Sequence, residues 1–240
     1  MYLHTLALVL MAVLAQGLGM STSRVDGSGT MSISNSGRRL VGKLTPENTV
    51  FLLCDIQTRF RPLIWHGETV IQTARYMTSV AKALNIPIVI TQQYTKVFGD
   101  TITDCFADPN DIAKYPVVEK KQFSMCVDEV NKCMNELNRK SVVLFGIEAH
   151  VCVQQTCLDL LEEGKEVHLI LDGVSSQQSY DREIALQRMS QAGAFLTTAQ
   201  SAAFMLMRSA DHDNFKAVSK LTVEHMKLPN EFNEVVQGKL

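Results

Sequence analysis

Residues 141–164 read SVVLFGIEAHVCVQQTCLDLLEEG. The first seven, SVVLFGI, form an apolar run of strand length without alternation, which is the pattern of a strand covered on both faces. The stretch from 151 to 163 is amphipathic and stops at Gly164, a residue well suited to close a helix. A covered strand that feeds a helix through a short junction is half of a βαβ unit, and repeated units of that kind build a parallel sheet.

The rest of the chain repeats the pattern. Upstream, TVFLLCDI (49–56) is a continuous apolar run. Val70, Ala74, Met77, Val80, Ala81 and Leu84 then recur at helical spacing over 68–84, and NIPIVITQQY predicts a second buried strand at 86–91. A short apolar piece, YPVVEK, leads to a helix near 126–138. Downstream, EVHLILDGV (166–174) predicts a strand, 180–192 a helix, AFLTT a short strand and 199–209 a helix. Strands alternating with helices predict a three-layer αβα fold: a mainly parallel sheet with helices on both faces.

The domain is expected over 40–227, with a C-terminal tail at 228–240. Residues 1–39 read as a leader and flexible arm. LALVLMAVLA (6–15) has the length of a signal-peptide core and is too short to span a bilayer, yet no Lys or Arg precedes it. Residues 20–40 are rich in Ser and carry Arg24, Arg38 and Arg39, as an organellar leader would. Met20 and Met31 are alternative starts, so cytoplasmic, mitochondrial and secretory destinations all stay open, the cytoplasm being the default from cysteine usage. The six cysteines form no C-x-x-C pair, and some fall inside apolar runs, which suits reduced thiols. With 23 Lys+Arg against 25 Asp+Glu, the chain lacks the basic excess that phosphate-backbone binding needs. Nucleic acid is therefore not expected as a partner.

In an open α/β sheet, ligands bind beyond the carboxyl ends of the strands. The polar or reactive groups there are Asp55, Gln92 or Gln93, and Cys152. A thiol in the first turn of a helix meets unpaired N–H groups and the positive end of the helix dipole, both favouring thiolate. The same N–H groups suit an oxyanion. The plainer reading of Cys152 is a small residue packing helix on sheet. Asp55 ends an apolar strand, where a carboxylate is costly unless paired or used, and its plainer role is to cap a loop. Lys120 and Lys121 are each placed to pair with Asp55, or to form a solvated charge run.

These residues resemble a known family. DIQTRF, TQQY, KKQFSM and GIEAHVCVQQTCLDLLEEGKEVHLILDGVSS occur in the order found in the isochorismatase-like cysteine hydrolases, and 40–220 is most similar to the animal isochorismatase domain-containing proteins. The resemblance implies a six-stranded parallel sheet of Rossmann-like topology. It also implies an Asp-Lys-Cys group: Asp55 in D-x-Q-x-x-F, Lys120 in K-x-x-F-S, and Cys152 as nucleophile. Gln93, with Tyr94 beside it and Phe60 of the first motif, falls at substrate-facing positions. A cis peptide before the cysteine is implied at Glu148-Ala149, aiming backbone N–H groups at an oxyanion. Relatives with vinyl-ether-cleaving activity carry glycine in place of Cys152, so the cysteine implies hydrolysis of an amide or related carbonyl. Ala149 replaces a threonine common in family amidases. The Asp/His/His metal site of nicotinamidases is missing, as only His66 follows Asp55 nearby. No metal or cofactor is expected.

The expected protein is thus a cysteine hydrolase of a small amide or carbonyl compound, assembled as a dimer or tetramer. The alternative is a non-catalytic, oligomeric interaction protein of the same fold, and a nuclease-like role conflicts with the charge. The Met-rich SAAFMLM (201–207) is a weak interface candidate whose plainer role is helix packing. His150, two residues before Cys152, is expected at the rim or an interface.

Overall fold

The computed structural model describes residues 41–233; the leader, 1–39, and the last part of the tail lie outside them. Six strands form one sheet: β1 (Thr49–Cys54), β2 (Ile88–Gln93), β3 (Val117–Lys120), β4 (Ser141–Ile147), β5 (Glu166–Ser175) and β6 (Phe195–Thr197). Their order is β3-β2-β1-β4-β5-β6, and every pairing is parallel. The sheet runs outward in both directions from the β1–β4 pair, so the switch point lies between those two strands, and their carboxyl ends meet at one crevice. Both central strands are buried along their whole length, as their unbroken apolar runs require, whereas edge strands β3 and β6 are partly exposed.

Helix α1 (Gly67–Leu84) buries Val70, Ala74, Met77, Val80 and Ala81, the stripe set by the spacing of its apolar residues. Asn85 ends it in the left-handed conformation, donating to the carbonyls of Ala81 and Lys82. Helix α2 (Asp128–Leu137) precedes β4. α3 (Gln154–Glu162) and α4 (Ser179–Ala192) pack together, while α5 (Ala199–Met207) and α6 (Phe215–Met226) pack with α1. Gly164, at φ 77°, closes α3 as its place in the sequence predicts. In the SAAFMLM segment Ala202, Ala203, Leu206 and Met207 are buried, which is the packing role.

The structure differs from expectation at several boundaries. The helix expected from 151 begins as a five-residue π turn, Ala149–Val153, a local widening that apolar spacing does not reveal. Helix α6 was not anticipated, since it buries little more than Val218 and Thr222 and so lacks a strong stripe. Residues 228–233 fold onto the domain, where Phe232 is buried edge-on to Trp65 and beneath the Arg182 guanidinium.

Strand β5 carries an irregularity, for its register with β4 jumps from Leu169 to Val174. Arg182 of α4 donates to the carbonyls of Leu171 and Val174, satisfying acceptors that the ladder leaves open there. Earlier in the same strand His168 is buried against Phe195, and its Nε2 has no protein partner. Burial pushes the imidazole down from 6.5 to about 4. Between those two values the unfolded chain binds a proton that the folded chain refuses, so stability falls as pH drops from about 6.5 towards 4. The expected loss attributable to His168 is about 3 kcal/mol at the lower end. Urea unfolding midpoints followed against pH should show a shallower acid slope for His168→Leu than for the wild type, and equal slopes would exclude this source.

Candidate active site

The carboxyl ends of β1, β2 and β3 deliver Asp55, Gln93 and Lys120, and the junction after β4 delivers Cys152. Asp55 follows the last residue of β1 and is left-handed at φ 47°, which breaks the strand's alternation and turns the carboxylate in among the strand ends. There it is buried. Its Oδ1 accepts from Thr91 Oγ1 at 2.8 Å and its Oδ2 from Lys120 Nζ at 2.7 Å. The Cys54 thiol also points at Oδ2, at 3.6 Å.

Lys120 is the last residue of β3, and its ammonium is sealed from solvent. Besides Asp55 it faces Gln93 Oε1 at 2.7 Å and the carbonyls of Phe123 at 2.8 Å and Gln122 at 3.2 Å. Three N–H groups therefore serve four acceptors, and one bond is shared. Burial alone would lower the pKa of this group, but the negative charge that Cys54, Asp55 and Cys152 can carry outweighs it, and the net direction is up. Lys121, the alternative left open by the charge pattern, instead reaches over the Tyr94 ring, 5.4 Å from its centroid.

Cys152 sits in the π turn and is 7% exposed. Thr156 Oγ1 donates to its carbonyl at 2.7 Å while accepting from the Met125 N–H at 2.8 Å, tying the turn to the segment that follows Lys120. Burial, with the Cys152 thiol and the Asp55 carboxylate adding to it, holds the Cys54 thiol well above its usual range. Gly146 sits against the backbone of Cys54: its φ is 130°, and a Cβ there would overlap the Cys54 carbonyl, so only glycine lets β4 end flush against β1.

One expected feature is displaced. The cis peptide is Ile147-Glu148, not Glu148-Ala149; it lies at the end of β4, because the chain leaves the strand there and Ala149 already belongs to the π turn. The N–H groups of Val151 and Val153 both donate to the Glu148 carbonyl. The Glu148 carboxylate accepts from the backbone and side chain of Gln177, holding the loop after β5. His150 lies beside Ser176 Oγ at 2.9 Å and faces Asp181 rather than the thiol.

Gln93 differs from a simple substrate contact, for its Oε1 accepts from Lys120 and its Nε2 donates to the Lys121 carbonyl at 2.8 Å. It orients the ammonium. Tyr94 is left-handed at φ 32° and half-buried, and Phe60, also half-buried, stacks on Phe98 at 4.8 Å. The sequence reading assigned no role to Gln57. Its side-chain amide accepts from the Gln93 N–H at 2.7 Å and donates to the Gln93 carbonyl at 2.9 Å, fixing the end of β2. The glutamine of D-x-Q was the signal for it. Among the described residues no cluster of three or more metal-ligating side chains gathers, and His66 faces Trp65, Phe232 and Glu231.

An all-parallel αβα sheet that brings a carboxylate, an ammonium and thiols to its switch point defines an isochorismatase-like class of α/β protein. The chain belongs to the isochorismatase family of hydrolases: the Isochorismatase domain model matches residues 49–201. It is 43% identical over 205 residues to the secreted isochorismatase effector Isc1 of Phytophthora sojae, covering 85% of this chain and 98% of that protein. It is 40% identical over 190 residues to isochorismatase domain-containing protein 2 of Xenopus laevis, covering 79% and 90%. Among solved structures, MAR1 ribonuclease from Caenorhabditis elegans superposes with a TM-score of 0.71 at 38% identity, covering 75% of this chain and 92% of that one. An octameric Escherichia coli hydrolase of unknown specificity, YcaC, shares the fold at a TM-score of 0.68 and 22% identity, covering 80% and 100%.

Proposed function

We propose that this chain is a cysteine hydrolase of a small amide or related carbonyl compound, with Cys152 as nucleophile, Asp55 as proton acceptor and Lys120 as the fixed positive charge. The observation that carries this reading is the sealed Lys120–Asp55 pair, 2.7 Å apart, beside a thiol at the strand ends. A buried ion pair is weak support for stability, so its place at the crevice favours a chemical role.

In this mechanism Asp55 takes the Cys152 proton, and the thiolate forms beside an ammonium that keeps its own proton. The sulfur attacks the carbonyl carbon, and the N–H groups of Cys152 and Glu148 hold the oxyanion, since those of Val151 and Val153 already serve the Glu148 carbonyl. Asp55 returns the proton to the leaving amine, then activates the water that hydrolyses the thioester. Assembly into a dimer or tetramer belongs to the same proposal, supported by Tyr180 and Ile184, which stand 64% and 61% exposed on α4.

A panel of primary amides and carbamoyl compounds, run with wild type and with iodoacetamide-treated protein, tests it. At least one compound should be hydrolysed, and alkylation of Cys152 should track the loss of activity. Alkylation of Cys152 no faster than that of Cys54 or Cys157 would remove the activated nucleophile from consideration. The name of the Caenorhabditis elegans relative makes RNA the competing substrate; salt-dependent RNA binding with cleavage insensitive to alkylation would favour it.

A further inference from the structure

A second cavity, of about 300 Å³, lies between the start of α1, the junction of β6 with α5, and the segment after α6. None of Asp55, Gln93, Lys120 and Cys152 lines it. Cavities of this size take small organic molecules. Its walls carry Asp172, His225, Gln72 and Asn230, with Met226 and Leu228 in the apolar share, and no Lys or Arg is among the described lining residues.

Asp172 stands in the irregular stretch of β5 and is half-buried. Its Oδ1 accepts from the Ala199 N–H at 2.9 Å, at the start of α5. Arg182, whose charge reaches the carboxylate, gives its N–H groups to the Leu171 and Val174 carbonyls and covers the Phe232 ring. Asp172 therefore has no ion pair among the described residues, and burial raises its carboxyl above the ordinary value. His225 stacks on Tyr76 at 4.6 Å, and its Nδ1 is buried without a partner among the described residues. Burial lowers the imidazole from 6.5, so it is uncharged at neutral pH. Asp172 is thus the one formal charge on the described walls.

We propose that this cavity binds a small aliphatic ammonium compound bearing a hydroxyl or amide. The ammonium pairs with Asp172, the chain lies along Met226 and Leu228, and the far polar group meets the side-chain amides of Gln72 and Asn230. An anion would face a carboxylate that already lacks a partner, and a neutral polyol would leave that charge unpaired. The cavity is preformed, because its roof is pinned: Thr69 Oγ1 donates to the Glu231 carboxylate at 3.2 Å, and Phe232 packs against Trp65. The inference does not rest on the proposed nucleophile.

The probes are the amino alcohol aminopentanol, its neutral counterpart pentanediol and the anion hydroxypentanoate, each with its two groups at opposite ends. Titrated calorimetrically into the full chain at equal ionic strength, only aminopentanol should saturate. Asp172→Asn and Met226→Arg should each weaken it about tenfold or more, the second by placing a cation at the ligand. Met226 is exposed, so that variant keeps the test open if Asp172→Asn folds poorly by circular dichroism. In the wild type, trypsin cleavage after the exposed Lys227 should slow roughly tenfold at ten times Kd, since the ligand holds the roof closed. Cys152→Ala should bind the amine as the wild type does, which separates this result from the hydrolase reading. No saturation by aminopentanol, equal saturation by pentanediol, or unchanged binding in the folded variants would each overturn the inference. So would binding lost in Cys152→Ala, or cleavage that the saturating amine does not slow.

Discussion

Replacing Cys152 with alanine is expected to lower turnover of any amide the wild type hydrolyses by a factor on the order of 10⁴ or more, because the proposed acyl-enzyme forms on its sulfur. Stability should change by only about 1 kcal/mol, since the change removes one small atom from a turn held by other bonds. Those bonds are the Thr156 contacts to the Cys152 carbonyl and Met125 N–H, and the Val151 and Val153 N–H contacts to the Glu148 carbonyl. The paired readings, kcat/KM on the hydrolysed amide and the urea unfolding midpoint, separate catalysis from packing. A protein that works instead as an interaction module would keep its partner and its assembly state in this variant. If the substitution left turnover within tenfold of wild type, Asp55 and Lys120 would need another nucleophile, with Cys54 the nearest thiol.

The amino-acid sequence exposes the fold because its central strands are buried on both faces. TVFLLC and SVVLFGI have no polar break, and such runs between amphipathic stretches leave few arrangements other than a parallel sheet. The same logic places Asp55 and Cys152 at strand ends before any contact is known. It does not decide between Lys120 and Lys121, which are adjacent in the chain. The structure separates them through the last pairings of β3, where Gln93 lies opposite Lys120 and its side chain meets the ammonium. Four features stay hidden for related reasons. The π turn and the cis bond at Ile147-Glu148 are local backbone geometry without a compositional mark. Gln57 acts on the backbone of a residue 36 positions away. Cys54 looks like strand core, and its sulfur meets Asp55 Oδ2 at 3.6 Å beside a left-handed turn that the apolar run does not announce.

The second large effect concerns Lys120 and reads out in both stability and activity. Lys120→Met keeps the volume of the side chain but leaves Asp55 Oδ2, Gln93 Oε1 and the Phe123 carbonyl without their buried donor. Removing one partner of a buried ion pair costs about 3–5 kcal/mol, because the remaining charge is stranded in a poor solvent. Asp55→Asn strands the ammonium in the same way, although three acceptors remain around it, so its cost should be smaller. The double variant removes both charges and should be more stable than the sum of the single effects predicts, by about 1–3 kcal/mol. Hydrolysis should be lost in all three, since the thiol then lacks either its proton acceptor or the positive charge beside it. Urea unfolding of the four proteins closes the cycle. Strictly additive effects would mean that Asp55 and Lys120 do not act as a unit. Activity surviving in Lys120→Met at near the wild-type level would reduce the lysine to a structural strut, and the proton would then have to leave Cys152 without the help of a fixed ammonium.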